Sequence, residues 1–160
     1  MADAGAPRHA ARLATAAFVC SGSRVLLMRH PATSDRFAGR WNGIGGHVAP
    51  GEGIRAAARR ELREEAGLDV PELRLRGVVH ETGLLGHAHV IFFFVADVSE
   101  PHLTPALGLE LAWHERDRLS ELPLVDDLHE LLPALLATSE PVLAVERFDG
   151  ADRRVGFAWD

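Results

Sequence analysis

The chain has a single cysteine, so no internal disulfide can staple it. Cys20 sits in an apolar run, where a buried, inert thiol is expected rather than a nucleophile, and a reducing, cytoplasmic setting goes with such sparse cysteine use. No stretch approaches the roughly 20 apolar residues of a membrane helix; the longest candidate, Val90 to Val98, is interrupted at Asp97. Basic excess is missing too. A formal net charge of −6 argues against binding a nucleic-acid polymer, which requires a cationic face. The nine histidines are scattered without HExxH spacing or cysteine partners, so no zinc centre is expected. The chain has no GxSxG elbow, no Lys-Ser/Thr ending of a phosphate loop and no internal repeat. What is present is a globular composition, 47% hydrophobic and 25% charged over 160 residues, which suits one domain with a normal core.

Punctuation by glycine, proline and short polar clusters divides the chain. Residues 1–12 are rich in alanine and lack a signal-peptide core, so a flexible tail is expected before a single domain over 13–160. Leu13 to Cys20 and Val25 to Arg29 read as strands joined at Ser21-Gly22-Ser23, and His30 to Arg40 as a surface loop. Leu73 to Thr82 and Ala88 to Val98 read as two more strands, the second apolar on both faces as a central strand would be. A strand is expected from Leu109, and a helix from Val125 to about Thr138. Pro141 to Phe148 and Arg154 to Trp159 flank Asp149-Gly150, a hairpin signal.

The most informative stretch is Gly46 to Leu68, GHVAPGEGIRAAARRELREEAGL. Pro50 and three glycines mark a loop that ends at Gly53. The Ala-, Arg-, Glu- and Leu-rich run after it predicts a helix from Ile54 to Ala66, stopped by Gly67. At about 100° per residue, Ile54, Ala57, Ala58 and Leu62 share an apolar face. Glu61, Glu64 and Glu65 fall within about 100° of one another on another face. Like charges at these spacings destabilise a helix by roughly 0.2–0.5 kcal/mol per pair. The interleaved arginines relieve part of this, and a divalent cation with a preference for oxygen ligands can relieve more.

The spacing of Gly46, five residues to Glu52, then seven to Arg60-Glu61-Leu62-Arg63-Glu64-Glu65-Ala66-Gly67-Leu68 resembles the signature of the Nudix hydrolase family at every specified position. That resemblance implies an α/β fold, an α/β/α sandwich around a central mixed β-sheet. It also implies a loop and helix that hold Mg²⁺ or Mn²⁺ against the diphosphate of a nucleotide. Glu61, Glu64 and Glu65 would ligate the metal, with Glu64 or Glu65 as base, and the Gly46 carbonyl would add a ligand. Glu52 and Arg60 would brace loop against helix. Glu110 resembles a downstream carboxylate that some members bring to the metal.

RWNG.GG before this box is similar to the oxidised-purine nucleoside triphosphatases within the family. By that likeness Asn42 hydrogen-bonds the purine; an amide offers both donor and acceptor, although an asparagine before glycine also serves turns. Thr15, the polar residue of the first apolar run, is a further pocket candidate, with an ordinary strand threonine as the alternative. Asp126 and Asp127 resemble the adjacent acids that read the base edge in those enzymes, and either could instead cap the following helix. No tryptophan precedes this pair, a departure from that subgroup. The expected activity is metal-assisted hydrolysis of a nucleoside triphosphate to monophosphate and pyrophosphate, by a monomer or homodimer. Hydrolysis of ADP-ribose, a dinucleoside polyphosphate or a sugar nucleotide, or a non-catalytic nucleotide-binding module, are the alternatives.

Overall fold

Alternation along the strands decides which residue faces which helix. In the computed structural model, which describes residues 9–34, 36–99 and 101–160, β1 (Arg12–Ser21) sends Ala16, Phe18 and Cys20 into one core cluster and Ala17 and Val19 into another. Such a split is what a two-residue period gives a strand covered on both faces. The next strand, β2 (Arg24–Arg29), divides likewise, with Val25 and Leu27 against Leu26 and Met28. Two short strands follow, β3 (Trp41–Asn42) and β4 (Ile44–His47). The latter takes in Gly46 and His47, the start of the stretch that sequence alone reads as a loop ending at Gly53, because pairing with β1 overrides the local turn chemistry of its glycines.

Next comes α1 (Ile54–Ala66), with the boundaries its composition predicts. Gly67 closes it in the left-handed conformation, φ 67°, its N–H bonding the Arg63 carbonyl while the Leu68 N–H bonds the Leu62 carbonyl. After α1 come β5 (Arg74–Thr82), β6 (Ala88–Asp97) and β7 (Glu110–Glu115). The second helix, α2 (Leu128–Ala137), precedes the closing hairpin of β8 (Val142–Phe148) and β9 (Arg154–Trp159). A single 3₁₀ turn occupies Leu84–Gly86 and a six-residue 3₁₀ helix Arg116–Glu121.

The sheet runs β3-β2-β1-β6-β5-β8-β9, with β4 also on β1 and β7 also on β2. It is mixed: β1 with β6 and β5 with β8 are parallel, the other pairs antiparallel. The apolar strand β6 is central, as its continuous hydrophobicity predicts. On one face Ala58, Leu62 and Ala66 of α1 pack on Ala17, Val19 and Phe94; on the other, Leu128, Leu131, Leu132 and Leu135 of α2 pack on Phe18, Phe93 and Val79. The α/β sandwich expected from the sequence is the fold observed. Truncating Leu62 or Leu131, both fully buried, to alanine costs about 2–5 kcal/mol of stability.

Of the expected N-terminal tail, residues 1–8 lie outside the described residues. Arg12 already belongs to β1, and a ring nitrogen of His9 sits 2.9 Å from one of His80. Cys20 is fully buried and burial raises its thiol pKa, which suits the inert role read from its surroundings.

Candidate active site

Strand β4 hands the chain to α1 through a loop that Arg60 clamps. Its guanidinium donates through Nε to Glu52 Oε1 at 2.8 Å and through Nη2 to Glu52 Oε2 at 3.0 Å. Nη2 also reaches the His47 carbonyl at 3.1 Å, and Nη1 reaches Glu61 at 2.6 Å and Glu64 at 3.2 Å. Glu52 in turn accepts the Ala49 N–H at 2.9 Å, closing the loop on itself. The Arg60 bonds, with the Ala49 N–H helping, hold the Glu52 carboxyl at a pKa of about 2. Two parallel bonds from a planar fork fix direction as well as distance.

The third acid of α1 is placed differently. Glu65 points into the interior, and its Oε2 is buried without a hydrogen-bond partner. Burial first, then the charge of Glu61, raises its pKa to about 7, with the Gly45 N–H opposing. Glycine is required beside these acids. A Cβ at Gly46 would come within 2.6 Å of Glu61 Oε1, and one at Gly45 would collide with the Thr15 carbonyl across the β1–β4 pair. Among the described residues no three His, Cys, Asp or Glu side chains are already gathered as a metal-binding group; Glu61 and Glu64 are turned to Arg60 instead. The donor set still fits an oxygen-seeking cation: three carboxylates on one helix, two of them sharing a single guanidinium, and an orphaned buried oxygen on the third.

Gly45 and Gly46 also form a wall of a cleft of about 260 Å³ on the far side of β4. Phe37, Ile91 and Phe93 give it apolar faces suited to a planar ring, and Asn42, Glu81 and Asp127 give it polar ones. Asn42 Oδ1 accepts the Gly43 N–H at 2.7 Å, so the side-chain amide is oriented with its NH₂ free to donate; its partner there is His30 Nε2, at 3.4 Å. Thr15 lines the cleft, and its buried hydroxyl has no hydrogen-bond partner.

The remaining sequence-predicted residues separate. Asp127 lines the cleft and makes no side-chain cap bond to α2, so capping does not explain it. Asp126 is not among the lining residues; its carboxylate pairs with Arg40. Glu110 faces Arg29 across the β2–β7 pair, 3.5 Å away and more than half exposed, and that ion pair is the contact its carboxylate makes.

Sequence reasoning missed Glu81 and Glu146, which are 6% and 1% exposed. They sit opposite each other in the parallel β5–β8 pair, and His89 of β6 is opposite Glu81 on its other side. His89 Nδ1 lies 2.9 Å from Glu81 Oε1, but off the axis of a hydrogen bond. A signal existed: Glu81 alternates with Val79, and Glu146 with Ala144, so each acid occupies a core-facing position of its strand.

With this geometry in place, the comparison with known proteins is direct. The NUDIX domain model matches residues 10–135, and the chain belongs to the Nudix hydrolase family. It is 34% identical over 128 residues to an oxidized purine nucleoside triphosphate hydrolase from Mus musculus, covering 78% of this chain and 80% of that one. A protein of that description from Danio rerio is 34% identical over 121 residues, covering 72% and 74%. A MutT protein from Bacillus halodurans shares the fold with a TM-score of 0.81 over 93% of this chain and 97% of that one, at 23% identity. Among the described residues no helix is long and apolar enough to cross a membrane.

Proposed function

We propose that this Nudix hydrolase cleaves a purine nucleoside triphosphate, oxidised purines included, to the monophosphate and pyrophosphate with the help of Mg²⁺ or Mn²⁺. The observation that carries this reading is the shared wall: Gly45 and Gly46 touch the acids of α1 on one side and line the cleft on the other. A ring seated in the cleft therefore leaves its phosphates beside Glu61, Glu64 and Glu65. The relatives described as oxidized purine nucleoside triphosphate hydrolases support the choice of base.

Glu61, Glu64, Glu65 and the Gly46 carbonyl would hold the cation, which when bound polarises phosphoryl oxygens and makes hydroxide available near neutral pH. Glu65, half-buried with its Oε2 enclosed and its pKa raised to about 7, takes the proton of the attacking water. Glu52 and Arg60 keep the loop against α1 so that Gly46 and Glu61 stay in register. In the cleft, Asn42 donates its amide hydrogens to an acceptor on the base. Thr15 offers a hydroxyl at the wall between base and phosphates.

Product analysis tests this reading. Incubation of 8-oxo-dGTP or dGTP with the protein and Mg²⁺ should yield monophosphate and pyrophosphate, and EDTA should abolish the release. Orthophosphate as product, or unchanged release in EDTA, would contradict the proposal.

A further inference from the structure

We infer that the second acid reading the base is Glu81, acting with Asp127 from the floor of the cleft, whereas Asp126 stands outside it; this deepens the reading above and rests on it. The pairing joins two residues far apart in sequence that the fold brings to one cavity. Glu81 projects from β5 and Asp127 from the turn before α2; both line the cleft and both are buried, at 6% and 7% exposure. Asp126 has a 38% exposed side chain and is engaged by Arg40. Further polar groups converge on the same space, among them the Asn42 amide, the unpartnered Thr15 hydroxyl and the His89 ring beside Glu81. An acid pair alone would be only a charged patch. An acid pair at the end of an apolar slot with unmatched donors and acceptors around it is a recognition surface.

The charges that face Glu81 can be named element by element. His89 comes from β6, Glu146 from β8, Asp127 from the turn before α2, and Arg36 from the loop after β2. Arg154 of β9 divides its guanidinium between Glu146, 2.6 Å from Nε, and Glu130, 3.1 Å from Nη1, and its charge only partly offsets the burial of Asp127. The Nη1 of Arg36 is bound to the Asp152 carbonyl. Burial first, then the nearby His47, Arg12 and His87 charges, lower the pKa of His89 and disfavour its cationic form. Three buried carboxyls thus meet too few cations, and burial holds the pKa of Glu81 and Asp127 at about 7 each. Under those conditions one of the two keeps its proton: the acid form donates while the carboxylate accepts. With the Asn42 NH₂ as a second donor, the floor fits a ring edge that presents a carbonyl next to an N–H, as the lactam of an oxopurine does.

The test measures binding rather than turnover, by calorimetry with Mg²⁺ present. The probes are α,β-methylene-dGTP, which carries the base and is not cleaved between its α and β phosphates, and inorganic tripolyphosphate, which has no base. Glu81→Gln should weaken the nucleotide at least about tenfold and leave tripolyphosphate within about twofold. Asp126→Asn should cost the nucleotide less than Glu81→Gln does. If Glu81→Gln does not fold, Glu81→Asp, which withdraws the carboxyl by one methylene, replaces it with the same expectation. Nucleotide affinity retained, both probes weakened alike, a loss at Asp126 as large as that at Glu81, or a wild type that prefers tripolyphosphate would each overturn the inference. The reading of the reaction is judged separately, by pyrophosphate release from the wild type.

Discussion

The acids of α1 and the acids beneath the cleft are the same kind of side chain in opposite electrostatic settings. Along α1, Arg60 bonds Glu52, Glu61 and Glu64, so each carboxylate is matched to a fixed cation. Beneath the cleft, Glu81, Asp127 and Glu146 are buried with too few cations, and each titrates near 7. Fixed charge suits gripping a cation, and a retained proton suits hydrogen-bonding a neutral ring. Glu65 stands between the two regimes, because it shares the helix of the first set and the burial of the second.

The sharpest way to break the comparison is to remove charge at that boundary. Glu65→Gln keeps shape and should lower kcat about 10³-fold with an unchanged circular dichroism spectrum; near-normal pyrophosphate release would end its assignment as base. Gly46→Ala comes next. Its Cβ would meet the end of a flexible side chain, Glu61 Oε1 at 2.6 Å, rather than backbone. The fold should therefore survive while kcat/KM falls about 10²-fold through displacement of Glu61. Arg60→Lys, which keeps the charge but loses the fork, should cost about tenfold in kcat/KM, measured against 8-oxo-dGTP.

The smallest effect is on stability, and its sign follows from the buried set. The native pKa values of Glu81, Asp127 and Glu146 lie at about 7, above their ordinary values of 4.5, 3.8 and 4.5. The folded state therefore binds these protons more tightly than the unfolded one. Their contribution is fully present below about pH 4 and is lost as the pH rises through about 7. Thermal scans should show the midpoint falling by on the order of 5 °C between pH 5 and pH 8. Glu81→Gln should flatten that slope, and a slope left unchanged would mean the carboxyl is ionised throughout.

The same contrast explains what was legible in the sequence. Glu52, Arg60 and the α1 acids lie within one continuous stretch, so helical spacing and the Nudix-like pattern display them together before any fold is known. The longer strands and α1 were equally open, because alternation and a glycine stop are local signals, whereas β3 and β4 form through pairing with β2 and β1. The cleft floor is non-local: Asn42 and Asp127 stand out by likeness, but Glu81 is far from both in the chain and reaches its core-facing place only once β5 pairs in register with β6 and β8. Adjacency in sequence favours Asp126 with Asp127, but a turn sends neighbours in different directions, and Asp126 goes to Arg40. Glu110 looked like a ligand by likeness alone; strand pairing gives it Arg29.

The proposed hydrolysis depends on the capacity of α1 to hold a divalent ion beside a nucleotide. Calorimetric titration of Mn²⁺ into the protein with α,β-methylene-dGTP, comparing wild type with the Glu61→Gln, Glu64→Gln double variant, measures that capacity directly. Saturable binding that the double variant loses is the predicted result. Binding that is absent from the wild type, or intact in the variant, would contradict it.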